Sequence, residues 1–259
     1  MSDIIEAYRA PDDDGSPPRK PARFGLLKLL ALIAIGFLLI GIFLPSSRSA
    51  SEAARRMQCS NNLKQIALAL QQYKVEYHSF PPVYVADADG VPMHSWRVLI
   101  LPFLEQSALF EEYRFDEPWD GPNNIRLASQ IPAVFRCPSF SPRNYAGLEN
   151  DAESMWSTQY LAITGDNSSF PVARSKNSAD IHTQDPSKLL VVELDSECVP
   201  WSAPRDIDLA GFARVLNNRS TKRVQHRGGV HVVTTDGAVF FVRDPTDLAA
   251  LQRVGTMDP

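Results

Sequence analysis

Between Phe24 and Leu44 the chain reads FGLLKLLALIAIGFLLIGIFL, with Lys28 as its only charge. A helix of that length rises about 30 Å, one hydrocarbon thickness, so the run predicts a transmembrane helix over 24–44. A buried core helix is the competing reading, but no polar face recurs at helical spacing between Leu29 and Leu44. Arg19, Lys20, Arg23 and Lys28 crowd the N-terminal end, whereas the exit side begins Pro45-Ser46-Ser47. The positive-inside rule then leaves residues 1–23 in the cytoplasm and exports everything after Pro45. A cleaved secretory signal, cut near Ser47-Arg48-Ser49, is the alternative. Against it, the apolar run exceeds the usual 7–15 residue signal core, and a polar tail precedes it. The expected location is the inner (cytoplasmic) membrane, single-pass, with a periplasmic head and the lipid bilayer as partner.

The tail, residues 1–23, is mostly charge, Pro and small polar residues that bury too little apolar surface to offset ordering entropy, and it is predicted disordered. With 26 Lys+Arg against 30 Asp+Glu the net charge is -4, so no basic field exists to hold nucleic acid. The 3 cysteines show no CxxC or Cys/His spacing of a zinc module and are too few for a disulfide scaffold. No HExxH, P-loop, Gly-x-Ser-x-Gly elbow or dinucleotide fingerprint occurs, so neither an enzyme nor a cofactor is expected.

After Pro45, Leu63, Ile66, Ala67, Leu70, Tyr73 and Tyr77 fall at three- and four-residue steps, which predicts an amphipathic stalk helix ended by Pro81-Pro82, within the segment 45–80. Residues 81–259 form the head. Trp96 to Phe110 suggests a short helix interrupted at Pro102, and Ala133 to Cys137 a strand ending at Pro138. Leu189 to Leu194 reads as a buried strand. Gly229 to Thr235 and Ala238 to Val242, joined by Asp236-Gly237, predict a hairpin with a two-residue type I′ turn.

The block EAARRMQCSNNLKQI from Glu52 to Ile66 closely resembles the DUF1559 family, pilin-like proteins of planctomycete-type bacteria. Phe80-Pro81-Pro82, SWRVLILPFLEQ from Ser95 to Gln106, Trp119-Asp120, Cys137-Pro138-Ser139 and the closing His226-x9-Asp236-Gly237 resemble its other blocks in the same order. The resemblance implies a pilin-like α+β fold: a long N-terminal transmembrane and stalk helix packed on an antiparallel β-sheet head. Family members begin with a prepilin-type signal whose glycine precedes the cut and whose glutamate serves processing and assembly. Here Arg23 stands at the glycine position before Phe24, and Lys28 at that of the glutamate, so this degenerate site is expected to escape prepilin peptidase.

Cys59 and Cys137 both lie in such blocks and outside the reducing cytoplasm, which leaves a disulfide or two buried free thiols as readings. His226 and Asp236 with Gly237 form the best-matched motif. A metal site or proton shuttle is one reading. The other, in which Asp-Gly makes the turn and His226 bonds a backbone carbonyl, fits the 20 to 30 Å of extended chain that can separate the two. No metal is expected, His226 and His231 being the only candidates. Glu193 with Asp195, and Asp206 with Asp208, read as solvated acidic pairs rather than an acid and base. The function these features predict is a membrane-anchored, pseudopilin-like envelope protein of structural or adaptor type, partnered by other pilin-like or envelope proteins. The alternative is a small-molecule or cation-binding sensory head.

Overall fold

A computed structural model describes residues 23–140, 156–165, 170, 189–194, 199–217, 226, 228–244 and 246–249. The disordered tail expected at 1–23 falls outside these, apart from Arg23, as does Cys198. The chain divides into two compact units, Met1–Ser49 and Ala50–Pro259.

Helix α1 spans Arg23–Tyr77. Among the described residues, however, no helix is long and apolar enough to cross a membrane. This overturns the spanning helix expected over 24–44, and with it the pilin-like fold built on that helix.

In the second unit α1 buries Cys59, Leu63, Ile66, Ala67 and Leu70, a stripe at three- and four-residue steps on one face. His78, in the left-handed region at φ 60°, ends the helix ahead of Pro81. Strands β1 (Tyr84–Ala86) and β2 (Pro92–Ser95) pair antiparallel, and β2 leads straight into α2, Trp96–Leu99, which Ser95 caps by accepting from the Arg97 amide. Pro102 then sits in a 3-10 turn, Leu101–Leu104. Helix α3, Ser107–Glu112, follows, then the short α4, Asn124–Leu127. Ala133–Phe135 is a 3-10 turn rather than the expected strand.

β3 (Ser157–Thr158) pairs with β6 (Val199–Pro200) outside the main sheet. That sheet has five strands in the order β7 (Ile207–Asp208), β4 (Tyr160–Thr164), β5 (Leu189–Glu193), β8 (Val230–Thr234) and β9 (Val239–Val242). It is not the purely antiparallel sheet anticipated, because β7 runs parallel to β4. The sheet separates two cores. Tyr160, Ala162, Leu190 and Val233 face α1 with Trp96, Phe135 and Trp201. Leu161, Ile163, Val192, Val232 and Val242 face Phe212 and Leu216 of helix α5, Leu209–Asn217. Covering on both faces is why β5 is apolar without alternation. The turn between β8 and β9 has three residues rather than two: Gly237 N–H bonds Thr234 O at 2.8 Å and Thr234 N–H bonds Ala238 O at 3.0 Å. Gly237 at φ 84° takes the left-handed position that such a loop requires.

Candidate functional site

Glu52 and Cys59 lie seven residues apart on α1, two turns along one face. Cys137 follows the 3-10 turn at Ala133–Phe135. The β5–β8 register pairs Val192 with Val232, so the next residues out, Glu193 and His231, are cross-strand neighbours, and β4 sets Tyr160 beside Glu193 on the other side. Into this corner comes His226, 1% exposed.

The contacts form a chain. His226 Nδ1 lies 2.8 Å from Glu52 Oε1 and its Nε2 3.2 Å from Glu193 Oε1, while Glu193 Oε2 lies 2.7 Å from His231 Nδ1. The rings of His226 and His231 meet edge to face at 5.7 Å. Cys137 Sγ is 3.6 Å from His226 Nε2, and Cys137 is bonded to Cys59, the Cα atoms 5.5 Å apart and 78 residues separated in sequence. Asn62, one turn beyond Cys59, donates to Arg136 O at 2.8 Å and secures the same junction.

Burial acts on these groups in opposition to their neighbours. For Glu193 it favours the neutral acid, yet the hydrogen bonds and charges of His226 and His231 outweigh it and hold the carboxyl below its ordinary value. For His226 burial favours the neutral ring, but Glu193 and then Glu52 reverse that and raise its pKa. Glu52 is lowered, its slight burial being overcome by His226 and Arg55. The result is an imidazole held toward its charged form between two carboxylates.

Other sequence candidates sit elsewhere. Asp236 accepts from Thr234 Oγ1 at 2.5 Å and Ala238 N–H at 3.1 Å, so it serves the turn with Gly237, and His226 joins carboxylates instead of a backbone carbonyl. Lys28 is exposed on α1; the side chains of Arg23 and Phe24 lie outside the described residues. Glu193 is 1% exposed rather than solvated, and Asp206 is closed in with Arg97 at 2.6 Å. Asp208 caps α5 by accepting from Gly211 N–H. Two participants escaped the sequence reading. Glu52 was visible only as one letter of a matched block. The role of Glu193 was signalled by a charge inside the apolar run Leu189 to Leu194.

A family model described as "Protein of unknown function (DUF1559)" matches residues 48–196, more than half of the chain. No curated protein and no solved structure matches.

Proposed function

The chain belongs to the DUF1559 family, and we propose that its Ala50–Pro259 unit is a structural or adaptor module of the cell envelope, folded outside the reducing cytoplasm and performing no catalysis. What supports this reading is the way α1 is tied to the rest of the unit. The Cys59–Cys137 bond and the Glu52–His226–Glu193–His231 chain join the helix to the sheet. The disulfide suits an oxidising compartment. Its carboxylates and imidazoles are engaged with one another, which describes a clamp better than an acid and base aimed at a substrate. Its partners in this reading are other envelope proteins.

Two measurements test it. Peptide mapping without reductant of protein taken from envelope extracts should recover Cys59 and Cys137 in one linked peptide; alkylated Cys59 would remove the compartment argument. Crosslinking in intact cells should yield a defined heteromeric species that C59S/C137S weakens. Monomer alone overturns the adaptor role.

A further inference from the structure

We propose that Cys59, Cys137, Glu193 and His226 form a tetrahedral site for one zinc-type divalent ion, which replaces the disulfide as the link between α1 and the sheet when the sulfurs are reduced. The two Sγ atoms, one Glu193 oxygen and one His226 nitrogen all lie within 4.8 Å of one another, and all four residues are buried. A four-coordinate ion about 2.3 Å from sulfur and 2.0–2.1 Å from nitrogen and oxygen has ligand edges of roughly 3.5 Å between S and N and 3.4 Å between N and O. The corresponding edges are 3.6 Å from Cys137 Sγ to His226 Nε2 and 3.2 Å from His226 Nε2 to Glu193 Oε1. The bonded sulfur pair has to move apart, to about 3.8 Å by the same geometry, and the remaining edges lie within 4.8 Å.

The surrounding groups argue independently for an ion. A metal-bound imidazole characteristically donates its other N–H to a carboxylate, and a bound carboxylate is itself hydrogen-bonded. With Nε2 on the ion, His226 Nδ1–H donates to Glu52 at 2.8 Å; with Oε1 on the ion, Glu193 Oε2 accepts from His231 Nδ1–H at 2.7 Å. Two thiolates and an imidazole select a zinc-type ion over calcium or magnesium. The inference rests on these four residues whichever role the unit serves.

The chemistry balances as two steps. A dithiol donor gives two electrons and two protons to the Cys59–Cys137 bond, leaving two thiols and the donor's own disulfide. The ion then binds both sulfurs and His226 Nε2, releasing to solvent the two thiol protons and, from a charged imidazole, the Nε2 proton, while Nδ1–H stays on Glu52.

The test uses the full chain reduced with a phosphine, which becomes phosphine oxide by taking oxygen from water and does not compete as a thiol. Co2+ is the probe. Expected are one ion per chain, thiolate-to-metal charge-transfer absorption with the visible bands of a tetrahedral ion, displacement by Zn2+, and none of these in the oxidised protein. C198S leaves the absorption unchanged. C59S/C137S abolishes it, H226A weakens binding severely, and E52Q, which keeps all four ligands, weakens it 10–100-fold. Absence of stoichiometric binding by the reduced chain overturns the proposal, as does binding without charge transfer or unaltered in H226A. Should reduction unfold the chain, recovery of the far-UV signal on adding Zn2+ supports the site, and failure to recover overturns it.

Discussion

Arg97 and Asp206 meet at 2.6 Å with side chains 0% and 3% exposed. Asp206 Oδ1 also accepts from Ala162 N–H at 2.7 Å and Trp96 Nε1–H at 3.1 Å, while the Arg97 guanidinium donates to Tyr160 O at 3.0 Å and Ser95 Oγ at 2.8 Å. One ion pair thus fastens α2 to β4 and sets the chain entering β7. Burial favours the neutral acid at Asp206 more than Arg97 and these donors can offset, so its pKa stands raised.

Breaking such a pair strands a charge without water, at a cost of about 3–5 kcal/mol, whereas replacing both partners by apolar residues is far milder. D206A should therefore lower stability by that amount in urea unfolding, and R97M/D206L should recover much of the loss. If D206A costs under about 1 kcal/mol, Arg97 is not stranded as argued.

The disulfide closes a loop with a sequence separation of 78, which the chain-entropy relation values at about 4.5 kcal/mol. Reduction in the presence of a strong chelator, which keeps metal away, should shift the urea midpoint down accordingly. An unchanged midpoint means the two sulfurs do not hold the native helix in place.

How much of this could be read beforehand depends on whether the signal was local. The stripe Leu63, Ile66, Ala67 and Leu70 is a periodicity, so this part of the buried face of α1 was legible, whereas Tyr77, which continues the same spacing, is exposed. So was β5, an apolar run bounded by polar residues. Ala133 to Phe135 misled because Val and Phe favour strands equally well when they pack from a 3-10 turn between Pro132 and Pro138. The parallel β7 was illegible, since it depends on Asp206 bonding Ala162 from 44 residues away. The candidate site fails for the same reason: Glu52 and His226 are 174 residues apart, and no spacing rule joins them.

Two histidines should respond oppositely to pH. His94, beside Tyr113 at 3.0 Å, has its pKa lowered by burial, only partly countered by a backbone hydrogen bond with Phe115. Its unfolded form binds protons first, so its contribution is complete above about pH 6.5 and is lost as pH falls toward the depressed folded value. His226 is raised, so its contribution is complete below about pH 6.5 and disappears as pH climbs through the folded value. Unfolding midpoints across about pH 5 to 8 should show H94Q flattening the acid side and E52Q reducing the advantage of low pH. Identical profiles for wild type and H94Q would contradict the assignment.

Gly229 and Gly237 flank the same strand but should tolerate a methyl group very differently. At Gly237 space is open, the nearest atom being Ala67 Cβ at 4.0 Å, and only the left-handed backbone at φ 84° opposes it. G237A should cost about 1 kcal/mol. At Gly229 the new carbon would overlap the Phe241 ring, which packs edge-on to His231 at 5.0 Å and under Arg56 at 5.6 Å. Displacing that ring should cost about 1–3 kcal/mol, the usual penalty of overpacking, and should also disturb His231 where it supports Glu193. Unfolding curves together with the histidine ring resonances distinguish the cases: G229A should move the His231 signals and G237A should leave them. A G229A protein with native His231 resonances would mean that Phe241 does not set the position of that imidazole.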